Sequence, residues 1–239
     1  NSAKNEAATR AEMIQRMEST QVYSVAEKSQ ILEGLTRFKA FDLLKNKKTV
    51  HIGSQLTSCK VAFNRGDVHA YGKASNVIRA SPLQIIAYHI DVMAHHLNKS
   101  DTRNKHIVEE VNVHNRLLYL EKIIPKPWNN RDFLLRYVWA MMEDDASGGY
   151  ILVVADEIRP DYPADEGNLR RACYPATMLC TPTGQTNRTA VDYMLQLKLG
   201  GTLNGYLASK IMNLYVRYNL RRMTEMQHYF QKLRALDIL

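Results

Sequence analysis

Over the first 46 residues the apolar positions recur at helical spacing. Ile31, Leu32, Leu35, Phe38, Phe41 and Leu44 fall three or four apart, which puts them on one helix face. Ala3–Met17, rich in Ala, Glu and Met, is composed of helix formers. Ser24 followed by Glu27 forms an S-x-x-E capping box that starts the second of two helices, and Lys45–Lys48 closes it with positive charge. From Thr49 to Lys73 the period shortens. Val61, Phe63 and the Arg65-Gly66-Asp67 turn predict a hairpin, with Val68–Tyr71 opening the return strand. Ser81-Pro82-Leu83-Gln84 then supplies an N-cap serine, a proline at the first helical position and a glutamine three residues after the cap. The helix it starts is expected to reach His95 or His96, with Ile85, Ile86, Ile90 and Met93 inward.

Alternating or continuous apolar runs follow at Ile107–Val113, Leu117–Ile124, Arg131–Met142, Tyr150–Asp156, Leu169–Cys180 and Thr189–Leu199, all read as strands. The prolines of Pro125–Asn130 place that segment outside any ladder. Residues 157–168 read as a long loop, a kind of connection that usually has a function. Asn204 caps a last helix running to Leu236, with Leu207, Ile211, Tyr215, Tyr218, Met226, Phe230 and Leu233 on one stripe and most of the bases on the other side. Strands with few crossover helices predict an α+β fold, a curved antiparallel sheet wrapped around the long C-terminal helix. The expected organisation is an N-terminal helical extension over 1–46 and a body over 47–239. A space between sheet and helix is a candidate ligand cavity.

Composition narrows the function classes. The 239 residues are 45% hydrophobic and 23% charged, which excludes a disordered chain or a disulfide-rich miniprotein. Three cysteines, with no CxxC pair, build neither a disulfide framework nor a zinc site, and a reducing compartment is the default. The net charge of +8 invites a nucleic-acid reading, but the bases are dispersed, so no nucleic-acid partner is expected. Eight acids (Glu143, Asp144, Asp145, Asp156, Glu157, Asp161, Asp165, Glu166) stand against Arg159 alone between 143 and 166. No apolar stretch reaches the length of a bilayer span and no leader pattern opens the sequence, so a cytoplasmic, at most peripheral, location is expected. His89, Asp91, His95 and His96 read as a helix end with histidines, and no metal or cofactor is expected.

One dense motif carries a family resemblance. Leu117–Phe133 contains a Pro-x-Pro turn running into Asn-Arg-Asp-Phe: Pro125, Pro127, Asn130, Arg131, Asp132 and Phe133. This resembles the START family of lipid-transfer domains, and further stretches agree in order: the Ser81-Pro82 helix, Gly167–Arg170 with Pro175, Asp192–Gly201 and the helix over 205–233. The resemblance spans residues 47–236. It implies a helix-grip fold whose tunnel holds one lipid, with no catalysis. An acyl-thioester hydrolase is disfavoured, because no separate catalytic domain shows. The resemblance also implies departures. The arginine of sterol-carrying relatives is replaced by Tyr137, its paired acid by Leu118, and the basic residue of phosphatidylcholine binders falls near His95. Arg170, Pro175 and Met178 resemble the sterol type more closely, so a sterol ranks slightly ahead of a phospholipid.

Alternation over Arg131–Met142 puts Phe133, Leu135, Tyr137, Trp139 and Met141 on one face, a cavity wall or a solid core. Tyr137 and Trp139 each bring a polar group that could meet a lipid hydroxyl. Arg136 points away unless a bulge turns it inward, and Cys173 falls where sterol-type relatives often show a polar cavity residue. Leu207, Ile211, Leu214, Tyr215 and Tyr218 are expected to roof the cavity. The loop 157–168 and the last helix are expected to part for the ligand, with loop acids pairing to helix bases when shut. Expected partners are a lipid ligand, a membrane in transient contact and a protein held through the N-terminal helices. The last allows an alternative in which lipid occupancy, or those helices, regulates a protein partner.

Overall fold

A computed structural model of the chain describes residues 2–19, 21–63, 69–91, 101–124, 126, 128–142, 148–164, 167–200 and 206–236, with the side chains of 2–8, 63 and 206–211 left aside. Pro125, Pro127, His95 and the 143–147 acids lie outside the described residues. The helices are α1 (Ser2–Met17), α2 (Val25–Leu43), α3 (Pro82–Ile90), α4 (Tyr206–Leu220) and α5 (Arg222–Ala235). The strands are β1 (Lys47–Thr49), β2 (Ser58–Phe63), β3 (Ala70–Ile78), β4 (Thr102–Asn112), β5 (Asn115–Lys122), β6 (Asn130–Met141), β7 (Tyr150–Asp156), β8 (Leu169–Arg171), β9 (Ala176–Pro182) and β10 (Thr189–Leu197). They form one sheet of ten strands in the order β1-β2-β3-β10-β9-β7-β6-β5-β4, antiparallel throughout except where β8 runs parallel to β6.

Both capping boxes are present. Ser24 and Glu27 exchange hydrogen bonds at the start of α2, as Ser81 and Gln84 do at the start of α3. The Lys47 ammonium donates to the Phe41 and Asp42 carbonyls at the end of α2, the charge complement expected of Lys45–Lys48. The α2 stripe is narrower than its spacing predicts. Phe38 and Phe41 are buried, whereas Leu32 is exposed, because the helix meets the sheet along Gly34. A Cβ there would come within 2.4 Å of Val153, and the Gly34 carbonyl accepts from Thr177 Oγ1 at 3.0 Å.

Period-two alternation sorts the sheet into two faces. The inward face carries Leu118, Leu120, Phe133, Leu135, Tyr137, Trp139, Tyr193, Leu195 and Leu197 into the main core beside α3, α4 and α5. The outward face carries Leu117, Tyr119 and Leu134 under Tyr162, and Ala140, Ile151 and Val153 under α2. Helix α1 is tied to α3 through Arg10 and Asp91, a buried ion pair at 3.0 Å. The single last helix expected from the stripe is interrupted for one residue at Arg221. Its backbone stays in the right-handed helical region, and its N–H still reaches the Arg217 carbonyl at 3.1 Å. The expected 169–180 strand is two strands, because Ala172–Pro175 turns the chain from β6 to β7.

Candidate functional site

The family motif is a clamp at one end of β6. The Arg131 guanidinium donates to the carbonyls of Leu199, Asn129 and Asn130, and Asp132 accepts from Arg171 at 2.8 and 3.0 Å. Together they bind β6 to β8 and to the end of β10, just before Gly200, whose φ of +67° turns the chain out of the sheet. The motif thus fixes where the chain leaves β10 on its way to α4. Arg131 and Asp132 are buried structural groups, whereas Phe133 faces the inner side of the sheet.

Between the inward face and the helices lies a void of about 40 Å³. Its walls are Leu120, Ile124, Phe133, Leu135, Leu197 and Leu199, with Tyr215, Tyr218 and Asn219 from α4. Tyr137, Tyr174 and Arg222 add polar groups, and so do Asp101 and Lys122. At roughly 10–15 Å³ per water the space holds about three water molecules, less than the volume of a lipid. A wider groove of about 600 Å³ beside Arg79, Arg188 and Arg234 lies at the other end of α5. The narrower void holds buried polar groups, and it is the candidate site.

Two polar clusters face this void. In the first, the Lys122 ammonium pairs with Asp101 at 3.0 Å, and the Tyr218 hydroxyl donates to the same carboxylate at 3.3 Å. The second is built around Arg222, at the first turn of α5. Its guanidinium carbon lies 5.5 Å from the centre of the Tyr174 ring. The Tyr174 and Tyr193 hydroxyls share a hydrogen bond of 2.6 Å, and Tyr174 is held by its backbone N–H, which donates to Asp156 at 2.7 Å. Burial pushes the Tyr137 hydroxyl up to about 12 and Tyr193 higher still, so both remain neutral donors at pH 7. Buried His89, stacked on Tyr193, is pushed down to about 3 by burial and by the charge of Arg222. It is a neutral ring in the core, and Asp91, its neighbour in sequence, is paired with Arg10. Among the described residues no three metal-ligating side chains gather.

The predicted lining residues divide. Tyr137, Leu135, Tyr215 and Tyr218 face the void. Leu118 is buried in the core, off the void's wall. Trp139 is buried too, and its indole N–H already donates to the Val113 carbonyl at 3.0 Å, which removes it as a ligand partner. Met141, at the last position of β6, is 53% exposed, and Leu214 is 65% exposed on the outer side of α4. The side chains of Leu207 and Ile211 lie outside the described residues. No bulge turns Arg136: it stays on the outer face, bound to Glu157, Glu109 and Asn115. Cys173 sits beside Asp156, its thiol pushed up to about 11 by burial and that carboxylate, and it is absent from the void's wall. Among the described residues the loop acids Glu157 and Asp161 do not meet the last helix either. Glu157 pairs with Arg136, and Arg159 with Glu109 and Asp161, while the Tyr162 hydroxyl lies 3.0 Å from His106 on the outer face.

Arg222, the group at the centre of the site, is not among the residues the sequence pattern singles out. Its position carried a signal: it lies four residues after Tyr218 and four before Met226, on the apolar stripe itself. A charge on that stripe is buried when the helix docks.

Three solved structures share the architecture. The human StarD13 (DLC2) lipid transfer and protein localization domain superposes with a TM-score of 0.60 at 17% identity, covering 88% of this chain and 98% of that one. Human STARD10 gives 0.65 at 17%, covering 92% and 84%, and human StAR-related lipid transfer protein 5 gives 0.67 at 10%, covering 89% and 100%. The chain has a START-like helix-grip fold. No model of a known family matches the sequence, and no curated protein does. No helix among the described residues is long and apolar enough to cross a membrane.

Proposed function

We propose that this START-like chain binds one lipid between its sheet and its C-terminal helices, and carries or senses it. The observation that carries the reading is the void itself: apolar walls around polar groups already buried, under a helix that covers it, on a fold shared with structures named for lipid transfer. A lipid of about 25–30 heavy atoms at about −0.3 kcal/mol per atom would bind with roughly −8 kcal/mol, micromolar or tighter. Most of that comes from removing its apolar surface from water. Admission would proceed by outward movement of α4. The described part of the 157–168 loop is tied to the outer face by Arg136, Arg159 and Tyr162, so the gate is the helix. The resemblance ranks a sterol slightly ahead of a phospholipid, and Tyr137 would supply the partner for its hydroxyl.

Native mass spectrometry of the purified protein, with lipid extraction from the same sample, tests this. One lipid per chain is the expected result. A bare protein that also fails to take up fluorescent sterol, phospholipid or fatty acid would overturn it.

A second reading, regulation of a protein partner through the N-terminal helices, is favoured by Val25, Leu32 and Leu43, apolar yet exposed along α2. Replacing them by lysine would weaken partner binding while lipid uptake persists. Loss of lipid uptake alone would count against it.

A further inference from the structure

Among the described residues Arg222 has no ion-pair partner. It is only 8% exposed, and among the described residues it makes no ion pair and no hydrogen bond. Buried cations are normally paired, since leaving one unpaired costs most of its lost hydration. Its surroundings do not neutralise it at pH 7. Tyr137, Tyr193 and His89 are neutral there, and the Glu225 carboxylate, three residues along the same helix, favours the charge from a distance without forming an ion pair with it. The Tyr174 ring face gives a partial cation–π contact. The other cation of the void, Lys122, has its acid in Asp101. The Tyr137 hydroxyl likewise makes no hydrogen bond to any described residue.

We propose that Arg222 is the head-group site of the cavity, and that its ligand is a single-chain lipid with an acidic oxyanion head. This rests on the lipid reading above and narrows it. An oxyanion accepts from the guanidinium fork and from the Tyr137 O–H. The Tyr174 and Tyr193 hydroxyls share one hydrogen bond, so one of their two protons remains to donate. A sterol or alcohol hydroxyl would satisfy Tyr137 and leave the guanidinium charge uncompensated. The chain of the ligand would follow Phe133, Leu135 and Leu197. A void of about 40 Å³ makes one acyl chain, with its smaller displacement of α4, a better fit than two. The shared chemistry is the oxyanion; a carboxylate and a phosphate are separated by the test.

The test is titration calorimetry of the full chain with oleate, oleoyl lysophosphatidate, oleyl alcohol and cholesterol. At least one acid is expected to bind the unmodified protein about tenfold or more tighter than oleyl alcohol. The acid that binds tighter assigns carboxylate or phosphate. R222M is expected to bring that acid down to the level of the alcohol, and Y137F to cost it about threefold. Equal affinity of the unmodified protein for both acids, the alcohol and cholesterol would overturn the proposal and leave the lipid reading standing. So would an R222M protein that keeps its acid preference. Failure of all four probes to bind the unmodified protein would overturn both. If R222M does not fold, R222Q carries the same comparison.

Discussion

Arg136 and Arg222 lie on opposite sides of one sheet and meet opposite surroundings. Arg136, on the outer face of β6, binds Glu157 at 3.0 Å, Glu109 at 3.1 Å and Asn115 at 2.9 Å, and its own carbonyl accepts from Gln30 of α2. Arg222, behind the inner face, has the Tyr174 ring beside it and, among the described residues, no acid in an ion pair with it, Glu225 acting only from a distance. On the outer face helix α2, the 157–164 segment and their charges pair with one another around Arg136, while Arg37 of α2 keeps buried guanidinium nitrogens without a hydrogen bond. The inner face holds a void and, among the described residues, the Tyr137 phenol without a hydrogen-bond partner and the Arg222 cation without an ion pair. A buried polar group without a partner calls for an explanation, and for Arg222 and Tyr137 the proposed one is a bound lipid head.

That contrast breaks or sharpens under substitution. The largest effects are expected at the two close approaches of helix to sheet. Gly34→Val would drive a side chain into Val153, and Gly72→Val into Val216 and Leu220 of α4, each costing about 2–3 kcal/mol. Urea unfolding measures both losses. Lipid uptake should change only in Gly72→Val, since α2 is remote from the void; equal changes would erase the distinction between the faces.

Next, Arg136→Met leaves Glu157 without its cation and Glu109 with Arg159 alone. The cluster is partly exposed, so the loss is about 1–3 kcal/mol. Arg222→Met removes an unpaired charge and should leave stability unchanged or raise it slightly. A larger loss at Arg222 than at Arg136 would contradict the reading of both.

A smaller, pH-dependent effect belongs to Glu27. Burial opposes its charge, but hydrogen bonds from Asn115, the Ser24 backbone and Asn112 outweigh burial and bring its pKa down to about 2. A folded value below the ordinary 4.5 means that the stabilisation is fully present above about 4.5 and is lost as pH falls toward 2. About 1–2 kcal/mol should disappear over that window, read from urea midpoints at pH 6 and pH 3, and Glu27→Gln should flatten the difference. The smallest effect is Met141→Lys: half in solvent at the end of β6, it should shift stability by less than about 0.5 kcal/mol and leave lipid uptake unaltered.

Local chemistry made much of this legible. Capping boxes at Ser24 and Ser81 announce helix starts, because a cap is satisfied within three residues. The alternation of β6 announces which residues share a face. The faces were less legible at their ends. Met141 and Leu214 follow the period and still reach solvent, because a period gives direction and not how far the opposite layer extends. Trp139 lies on the right face, but its N–H is taken by Val113, a partner 26 residues away in the chain.

The sequence by itself determined the elements, the two-sided sheet and the START-like grip, since caps, turns and alternation are written over a few residues each. The tertiary structure alone decided which polar groups on the inner face are paired. Lys122 finds Asp101 beside its cross-strand neighbour Thr102 and Arg136 finds Glu157 on the outer face, while Arg222 docks where no described carboxylate forms an ion pair with it. Pairing depends on distances between segments far apart in the chain, and only folding sets those distances.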